Sequence, residues 1–259
     1  METKIMSEYH KINSLYKRNK ITNHLIPGEW SIPEFEYLAE SRWEFTEKVD
    51  GTNIRVMYTP YNAPLLPPIS FGGRTDSAQL PAQLLTRLEA RFMTEKALEK
   101  FAANFNEPVV FYGEGYGAKI QKVGSKYLSY QDFVLFDVKV GKWWLKRRDV
   151  EVIADTFGLS IVPIYGYGTL YDAEKLVVNG IKSFWGDFEA EGIIAKTNIG
   201  LLNRAGHRII AKIKGVDYGV DLELSNQVKN RNLSDDYTIV EGVLNRTNKF
   251  DYSQDPTMI

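Results

Sequence analysis

A lysine beside a predicted tight turn is the side chain best suited to covalent chemistry. Lys48 lies in the seven-residue run 47–53, which reads EKVDGTN. A lysine amine attacks phosphorus only when it is unprotonated, and its ordinary pKa of about 10.4 keeps it charged at neutral pH. Burial and nearby positive charge both lower the pKa of a lysine. The run therefore predicts a nucleophile, provided that the fold brings other cations close to Lys48.

Further motifs with charged side chains follow Lys48 in chain order. They are FGGRTD with Arg74, FYGEG with Glu114, EGIIAK with Glu191 and Lys196, and AKIK with Lys212 and Lys214. Each motif alone has an ordinary structural explanation as a turn, a loop or the solvent face of a strand. Together the motifs are independent evidence for one type of reaction, the transfer of a phosphate-linked group.

These residue types suit different parts of such a transfer. Arg74, Lys196 and the two lysines of AKIK could neutralise a reacting phosphate. The two lysines of AKIK share one face if the segment is a strand. Glu114 stands between two glycines, so we expect it on exposed backbone, where it could accept hydrogen bonds from a sugar hydroxyl. Glu191 precedes an apolar run and is a candidate ligand for a hard cation, Mg²⁺ or Mn²⁺.

Composition excludes several classes of protein. The 259 residues include no cysteine, which rules out a disulfide framework and a thiolate metal site. The net charge is −1, so contacts with nucleic acid must come from local clusters such as the four cations of residues 11–20. The N-terminus is polar, and no apolar run is long enough to cross a membrane. We therefore expect a cytoplasmic protein that does not bind a membrane. We also expect a monomer.

Hydrophobic periodicity predicts the elements that position these residues. The β-prone run 43–58, interrupted at Asp50-Gly51, predicts a strand, a tight turn and a second strand. A helical rhythm covers residues 77–105, and shorter helices are expected over 148–157 and 173–181. Further predicted strands span 109–112, 133–140, 192–196 and 208–213. Because strands and helices are clustered and do not alternate strictly, an α+β fold with antiparallel or mixed sheets is favoured.

The ordered motifs resemble those of the covalent nucleotidyltransferase superfamily, which contains ATP-dependent DNA ligases, RNA ligases and mRNA capping enzymes. The resemblance covers residues 43–214. The stretch TEKVDGTN is most similar to the RNA ligase 2 group, which includes phage nick-sealing ligases and RNA-editing ligases. The resemblance implies a nucleotidyltransferase (ATP-grasp-like) domain of two mainly antiparallel sheets with flanking helices over residues 1–220. Residues 221–259 would then form a short helical extension.

The resemblance also implies a role for each residue. Lys48 would carry AMP, Glu47 would help to recognise adenine, and Phe136 would stack on the adenine ring. Glu191 would bind the metal, and Asn53 would contact the polynucleotide together with the arginine of FGGRTD. The implied nucleotide-binding set is Glu47, Arg74, Glu114, Phe136, Lys196, Lys212 and Lys214. Lys212 and Lys214 would hold the α-phosphate and assist catalysis.

The implied activity is the ATP-dependent joining of RNA 3′-hydroxyl and 5′-phosphate ends, and a phage or virus is a candidate source. Lys48 takes AMP from ATP, AMP passes to the 5′-phosphate, and the 3′-hydroxyl then displaces AMP. One alternative is a compact ATP-dependent DNA ligase, since Asp50 stands where the RNA ligase 2 group often has His. A capping guanylyltransferase would use GTP, but the 45 residues after Lys214 are too few and too polar for its β-barrel.

Overall fold

Two β-sheets form the walls of a cleft, and helices cover their outer faces. The structure, a computed structural model, describes residues 8–60 and 68–219. The first sheet has five strands in the order β1-β13-β12-β4-β11, and the second has the order β10-β8-β7-β5-β6 with β9 beside β8. Strands β2 and β3 form a separate ribbon. Neighbouring strands are antiparallel except at two edges, where β1 lies parallel to β13 and β10 to β8. The α+β prediction is confirmed.

The bounds of the elements are as follows. The strands are β1 (Asn13–Ser14), β2 (Tyr16–Arg18), β3 (Leu25–Trp30), β4 (Trp43–Glu47), β5 (Thr52–Tyr58), β6 (Ile69–Gly72), β7 (Val109–Gly117), β8 (Gln131–Val140), β9 (Trp143–Trp144), β10 (Ser160–Ile161), β11 (Ile164–Gly168), β12 (Gly192–Thr197) and β13 (Ile210–Lys214). The α-helices are α1 (Pro33–Tyr37), α2 (Ala82–Phe92), α3 (Glu95–Asn104), α4 (Gly124–Tyr127), α5 (Arg147–Phe157) and α6 (Leu170–Val178), and a 3₁₀ helix spans Gly215–Tyr218.

Each sheet has its own apolar core on the face away from the cleft. On the second sheet, alternate residues of β5 such as Ile54 and Val56 pack with residues of α2, α3 and α5. On the first sheet, Trp43, Ile193 and Ala211 pack with residues of α6. This alternation is the period-2 pattern of half-buried strands. It leaves the other residues of the same strands to line the cleft.

The run 43–58 forms two strands and a turn, as predicted, but the two strands do not pair with each other. Strand β4 lies in the first sheet between β11 and β12, whereas β5 lies in the second sheet between β6 and β7. The turn after Lys48 therefore carries the chain across the cleft from one sheet to the other. Local sequence shows the turn, while the partner of each strand is set by residues far along the chain.

The helices agree with the predictions less closely. Residues 77–105 form two helices, because Thr94 caps a new one by accepting a hydrogen bond from the backbone N–H of Ala97. Helix α5 ends at Phe157 as predicted, and Gly158 caps it with φ of 63°. Helix α6 begins three residues earlier than predicted, after a capping box of Thr169 and Asp172. The predicted division at residue 220 and the helical extension lie outside the described residues.

The turn after Lys48 is packed against β7 through a glycine. A Cβ atom at Gly51 would lie 2.3 Å from the carbonyl oxygen of Gly115 and 2.7 Å from Cγ of Glu114. Gly115 is part of the strand ladder, so its carbonyl cannot move away without disturbing the sheet. A residue without a side chain is required where the two backbones approach this closely.

Gly51→Ala should therefore destabilise the protein and displace the turn. We expect a loss of about 1–3 kcal/mol in the free energy of unfolding, as for other overpacked sites, measured by urea denaturation. Gly186→Ala is the matched control, because its nearest neighbour is the edge of the Phe188 ring at 3.3 Å. The control should lose less than about 1 kcal/mol. Equal losses in the two variants would contradict the close approach of the turn and β7.

Candidate active site

Lys48, Glu191 and Lys214 meet where three neighbouring strands of the first sheet end. The ladder pairs Gly192 with Lys214 and Ile193 with Glu47. The Lys48 ammonium contacts Oε2 of Glu191, and Nζ of Lys214 lies 2.5 Å from Oε1 of the same carboxylate. Glu191 is 95% buried and bridges the two lysines, so these three predicted site residues form one cluster.

Backbone hydrogen bonds fix the relative position of the three. The N–H of Lys48 donates to the carbonyl of Gly192 (2.9 Å), and the N–H of Gly215 donates to the carbonyl of Glu191 (2.9 Å). Both bonds extend the ladder beyond the last residues of the strands. The lysine, the carboxylate and the second lysine are thus held by main chain as well as by charge.

The other lysine of AKIK faces the same cavity. Lys212 and Lys214 point into the cleft, while the residues between and before them join the apolar core, as the alternation predicted. Burial lowers the pKa of Lys212, and the positive charges of Lys214 and Lys48 lower it further. The cavity they line has a volume of about 400 Å³, enough for a nucleotide.

Asn53 and Glu114 form part of the opposite wall. They are directly opposed in the β5–β7 ladder, so their side chains share one face of the second sheet. The prediction that Glu114 lies on exposed backbone is wrong, because β7 runs through it and its neighbouring glycines are buried. Burial raises the pKa of Glu114 to about 8, with the nearby Glu191 and Asp50 carboxylates adding to the effect and Lys48 opposing it.

Phe136 lines the cleft because β8 contains a bulge. The β7–β8 ladder pairs Tyr112 with Asp137 but Gly113 with Leu135, which leaves Phe136 without an opposed residue. Bulges re-aim side chains in this way. Leu135 and Val138 both enter the outer apolar core. As a result, Phe136 and Asp137 both lie on the cleft side, and Phe136 lines the cavity.

Asp137 pairs with Lys196 and Arg208 in a buried network that the sequence did not predict. Its Oδ2 lies 3.0 Å from Lys196 Nζ and 3.1 Å from Arg208 Nη2, and it accepts a hydrogen bond from the Tyr9 hydroxyl (2.5 Å). Burial alone would raise the pKa of Asp137, but the two cations hold it well below its usual value. The signal available in the sequence was an acidic residue inside the apolar run FVLFDV.

Lys196 is therefore already engaged. Besides Asp137, its ammonium donates to the carbonyl of Phe136 (3.1 Å). Burial lowers the pKa of Lys196, although Asp137 opposes the shift. Lys196 also lines the cavity, but it would reach a phosphate only by sharing its hydrogen bonds, and its contact with a nucleotide stays a prediction.

The carboxylate of Glu47 does not face an empty binding site. Its Oε1 accepts a hydrogen bond from the Ser183 hydroxyl (2.7 Å), and Oε2 accepts one from the backbone N–H of Phe184 (2.9 Å). The Tyr165 hydroxyl lies 3.1 Å from Oε2. The carboxylate already has three partners, and Glu47 still lines the cavity, so its contact with adenine stays a prediction.

Arg74 lies on an exposed turn at the mouth of the cleft, and a buried arginine holds that turn. Arg55, 99% buried on β5, donates from Nε to the carbonyl of Gly73 (2.8 Å) and pairs with Asp76 (2.8 Å). Gly73 precedes Arg74 in the turn and Asp76 follows it, so Arg55 holds the turn on both sides of Arg74. Arg55 is a positioning residue that sequence reasoning missed, although a charged residue inside an apolar strand is a visible signal.

Three of the cations of residues 11–20 have different surroundings. Lys11 lines the cavity, whereas Lys17 pairs with Glu29 (3.5 Å) and Arg18 with Asp217 (2.6 Å). Only Lys11 of these three is placed to act on a ligand in the cleft. The contact of this segment with nucleic acid stays a prediction.

The described part of the chain meets the requirements neither of a metal-binding group nor of a membrane-spanning helix. Within residues 8–60 and 68–219, no three Asp, Glu or His side chains are grouped so that they could hold a metal ion by themselves. In the same residues, no helix has the length and apolarity needed to cross a membrane. A divalent ion at Glu191 would need further oxygen ligands from phosphate groups and water, which is the usual way in which Mg²⁺ binds to nucleotide enzymes.

Comparison with known proteins places the chain in a family. The model of the RNA ligase family matches residues 41–214, well over half of the chain, and this segment contains every motif that forms the cavity. The chain belongs to the RNA ligase family. A search of curated proteins gave no match.

Solved structures of an RNA ligase share the fold. The Naegleria gruberi RNA ligase with pyrophosphate superposes with a TM-score of 0.56 at 21% identity, over 83% of this chain and 59% of that one. A mutant of the same ligase with ATP and Mn gives a TM-score of 0.56 at 20% identity, over 83% and 58%. This member of the RNA ligase family thus spans less than two thirds of the length of those chains. At this identity the likeness establishes the fold alone.

The raised pKa of Glu114 predicts how stability depends on pH. Between pH 4.5 and about 8 the folded protein holds a proton that the unfolded chain has released, so the free energy of unfolding should fall as pH rises through this window. Glu114→Gln removes the effect, which is a few kcal/mol at most. Urea denaturation at pH 5 and pH 8.5 measures it. If the free energy of unfolding fell by the same amount between pH 5 and pH 8.5 in the parent protein and in Glu114→Gln, the raised pKa would be contradicted.

Proposed function

We propose that this chain is an ATP-dependent RNA ligase that works through AMP bound covalently to Lys48. The observation that carries the proposal is the cluster of Lys48, Glu191 and Lys214 at the meeting point of three strands, inside a cavity large enough for a nucleotide. Membership of the RNA ligase family supports it. The reaction joins a 3′-hydroxyl end to a 5′-phosphate end.

In the first step Lys48 attacks the α-phosphorus of ATP. An N–P bond forms, the bond between the α-phosphorus and the bridging oxygen breaks, and pyrophosphate leaves with that oxygen. Lys48 must lose a proton to attack, and the Glu191 carboxylate that contacts its ammonium can accept that proton or pass it to water. Lys212 and Lys214 lie on the same face and neutralise the charge that builds on the phosphate oxygens.

The rest of the cavity suits the nucleoside. Phe136, Val162 and Ile194 provide apolar surface on which a purine could lie. Glu114 and Arg74 are assigned to the ribose or to the nucleic acid. A protonated Glu114 can donate a hydrogen bond as well as accept one, which suits a sugar hydroxyl.

Glu191 is proposed as the protein ligand of Mg²⁺ or Mn²⁺. Both of its oxygens face lysines, so the ion would share the carboxylate with these cations and depend on ATP phosphates for its other ligands. Such an ion would screen the negative charge of the triphosphate during transfer. Lys48 would then turn toward the phosphate as its contact with Glu191 loosens.

The second and third steps need a polynucleotide. In the second step AMP moves from Lys48 to the 5′-phosphate, and in the third the 3′-hydroxyl forms the new phosphodiester as AMP leaves. Asn53 is assigned to this substrate. Its Oδ1 is buried on the wall of the cavity without a hydrogen-bond partner in the described part of the chain, and a hydroxyl could donate to it. We further propose a monomer that acts in the cytoplasm of its host or of a phage- or virus-infected cell.

Incubation with ATP and Mg²⁺ should add one AMP to the protein, seen by intact mass. Lys48→Ala should abolish the adduct, and Lys48→Arg should abolish it too, because a guanidinium stays protonated. The matched control is Lys96→Ala, which removes an exposed lysine on α3 and should form the adduct normally. An AMP adduct that persists in Lys48→Ala, or an adduct formed from GTP in preference to ATP, would refute the assignment.

Sealing should be faster when the 3′-hydroxyl strand of a nick ends in ribonucleotides. The hydroxyl that donates to Asn53 would be the 2′-hydroxyl, and leaving a buried acceptor unpaired costs about 1–3 kcal/mol, or roughly one to two orders of magnitude in rate. Asn53→Ala should shrink this preference, with the rate on an all-DNA nick changed less than the rate on RNA. Equal or faster sealing of the all-DNA nick by the parent protein would instead favour the compact DNA ligase.

A further inference from the structure

A second cavity lies behind the wall formed by Phe136 and Lys196. Its volume of about 670 Å³ exceeds that of the nucleotide cavity, and the two cavities share only Phe136 and Lys196 among their lining residues. Strand β9, the start of α5, the loop of residues 198–202 and residues 208–210 form most of the rest of it. We call this cavity the tryptophan groove, after Trp143 and Trp144 of β9.

The groove presents aromatic surface to solvent. Trp143 is 66% exposed, and Ile199 and Leu202 on the facing loop are 74% and 55% exposed. Trp144 is partly buried beneath the guanidinium of Arg208, which lies 3.6 Å from the centre of its ring. A tryptophan ring that remains mostly in water, within a concave surface, is available for stacking on a planar ligand.

The charge of the groove is positive. Five cations line it against two carboxylates: Lys142, Lys146, Arg147, Lys196 and Arg208 against Glu44 and Asp137. Asp137 is paired with Lys196 and Arg208, and Arg147 with Glu151 (2.7 Å), so Lys142 and Lys146 supply the positive charge that faces solvent. Lys142 and Lys146 are exposed, and the ammonium of Lys142 lies 5.0 Å from the centre of the Trp143 ring. An exposed aromatic ring flanked by ammonium groups suits a nucleic-acid strand, because a base stacks on the ring and the adjoining phosphates pair with the ammonium groups.

We propose that the tryptophan groove binds a single-stranded segment of the RNA substrate, one base stacking on Trp143 and the adjoining phosphates pairing with Lys142 and Lys146. This rests on the proposed ligase function. Because the groove and the nucleotide cavity lie on the two sides of Phe136 and Lys196, a strand lying in the groove would be next to the nucleotide cavity. A polyanion is the occupant that the excess of cations favours, and the exposed tryptophan favours one that carries bases.

The test is the binding of a labelled single-stranded RNA to the full chain, followed by fluorescence anisotropy. Trp143→Ala should weaken binding about tenfold or more, since stacking of a base contributes about 1–3 kcal/mol. Trp143→Phe keeps an aromatic face and should restore most of the affinity. The matched control is Tyr37→Ala, which removes an aromatic side chain that is 90% exposed on α1, away from both cavities. It should bind RNA as the parent does.

Replacing both Lys142 and Lys146 by alanine should reduce the slope of log affinity against log salt by about 1.4, since each phosphate that a lysine neutralises contributes about 0.7 to that slope. Unchanged affinity in Trp143→Ala, or the same loss in Tyr37→Ala, would overturn the proposal. So would a loss of AMP uptake in Trp143→Ala as large as its loss of RNA binding. Failure of the parent protein to take up AMP refutes the ligase function separately, since RNA binding is measured without ATP.

Discussion

The structure depends on one buried carboxylate that holds two lysines together. Lys48, Lys212 and Lys214 crowd one end of the first sheet, and such a group of cations would repel if it were left unbalanced. Glu191 supplies the opposing charge from the start of β12, between the strands that carry Lys48 and Lys214. Removing one partner of a buried ion pair is more costly than the pair itself is stabilising, so these three positions constrain one another. The reaction proposed at Lys48 would require that this balance be partly released.

The second constraint is the turn at Gly51, where the chain crosses the cleft from the first sheet to the second. Because β4 and β5 lie in different sheets, the short turn between them sets how far apart the two walls stand. The close contact of Gly51 with β7 fixes the turn from the other side. The position of Lys48 relative to Glu114 and Asn53 therefore follows from main-chain packing and does not depend on a mobile loop.

The residues whose placement depends on local pattern alone were predictable. Lys212 and Lys214 share a face because a strand alternates, and Gly158 ends a helix because glycine adopts a left-handed conformation easily. The role of Asp137 was not predictable, because it depends on a one-residue bulge that puts two successive side chains on the same side of β8. The hydrogen bonds of Glu47 to Ser183 and Phe184 were hidden for another reason, since they join residues more than 130 positions apart.

The buried arginine beneath the Arg74 turn has a consequence for motion. Arg55 is almost fully removed from water, and two of its partners, the Gly73 carbonyl and Asp76, belong to the exposed turn. Local opening of that turn would leave a guanidinium in the protein interior with fewer partners, which is energetically costly. The turn should therefore resist fraying far more than its surface position suggests, and its amide hydrogens should exchange slowly, together with those of β5. A surface loop at the mouth of the cleft thus shares the rigidity of the core.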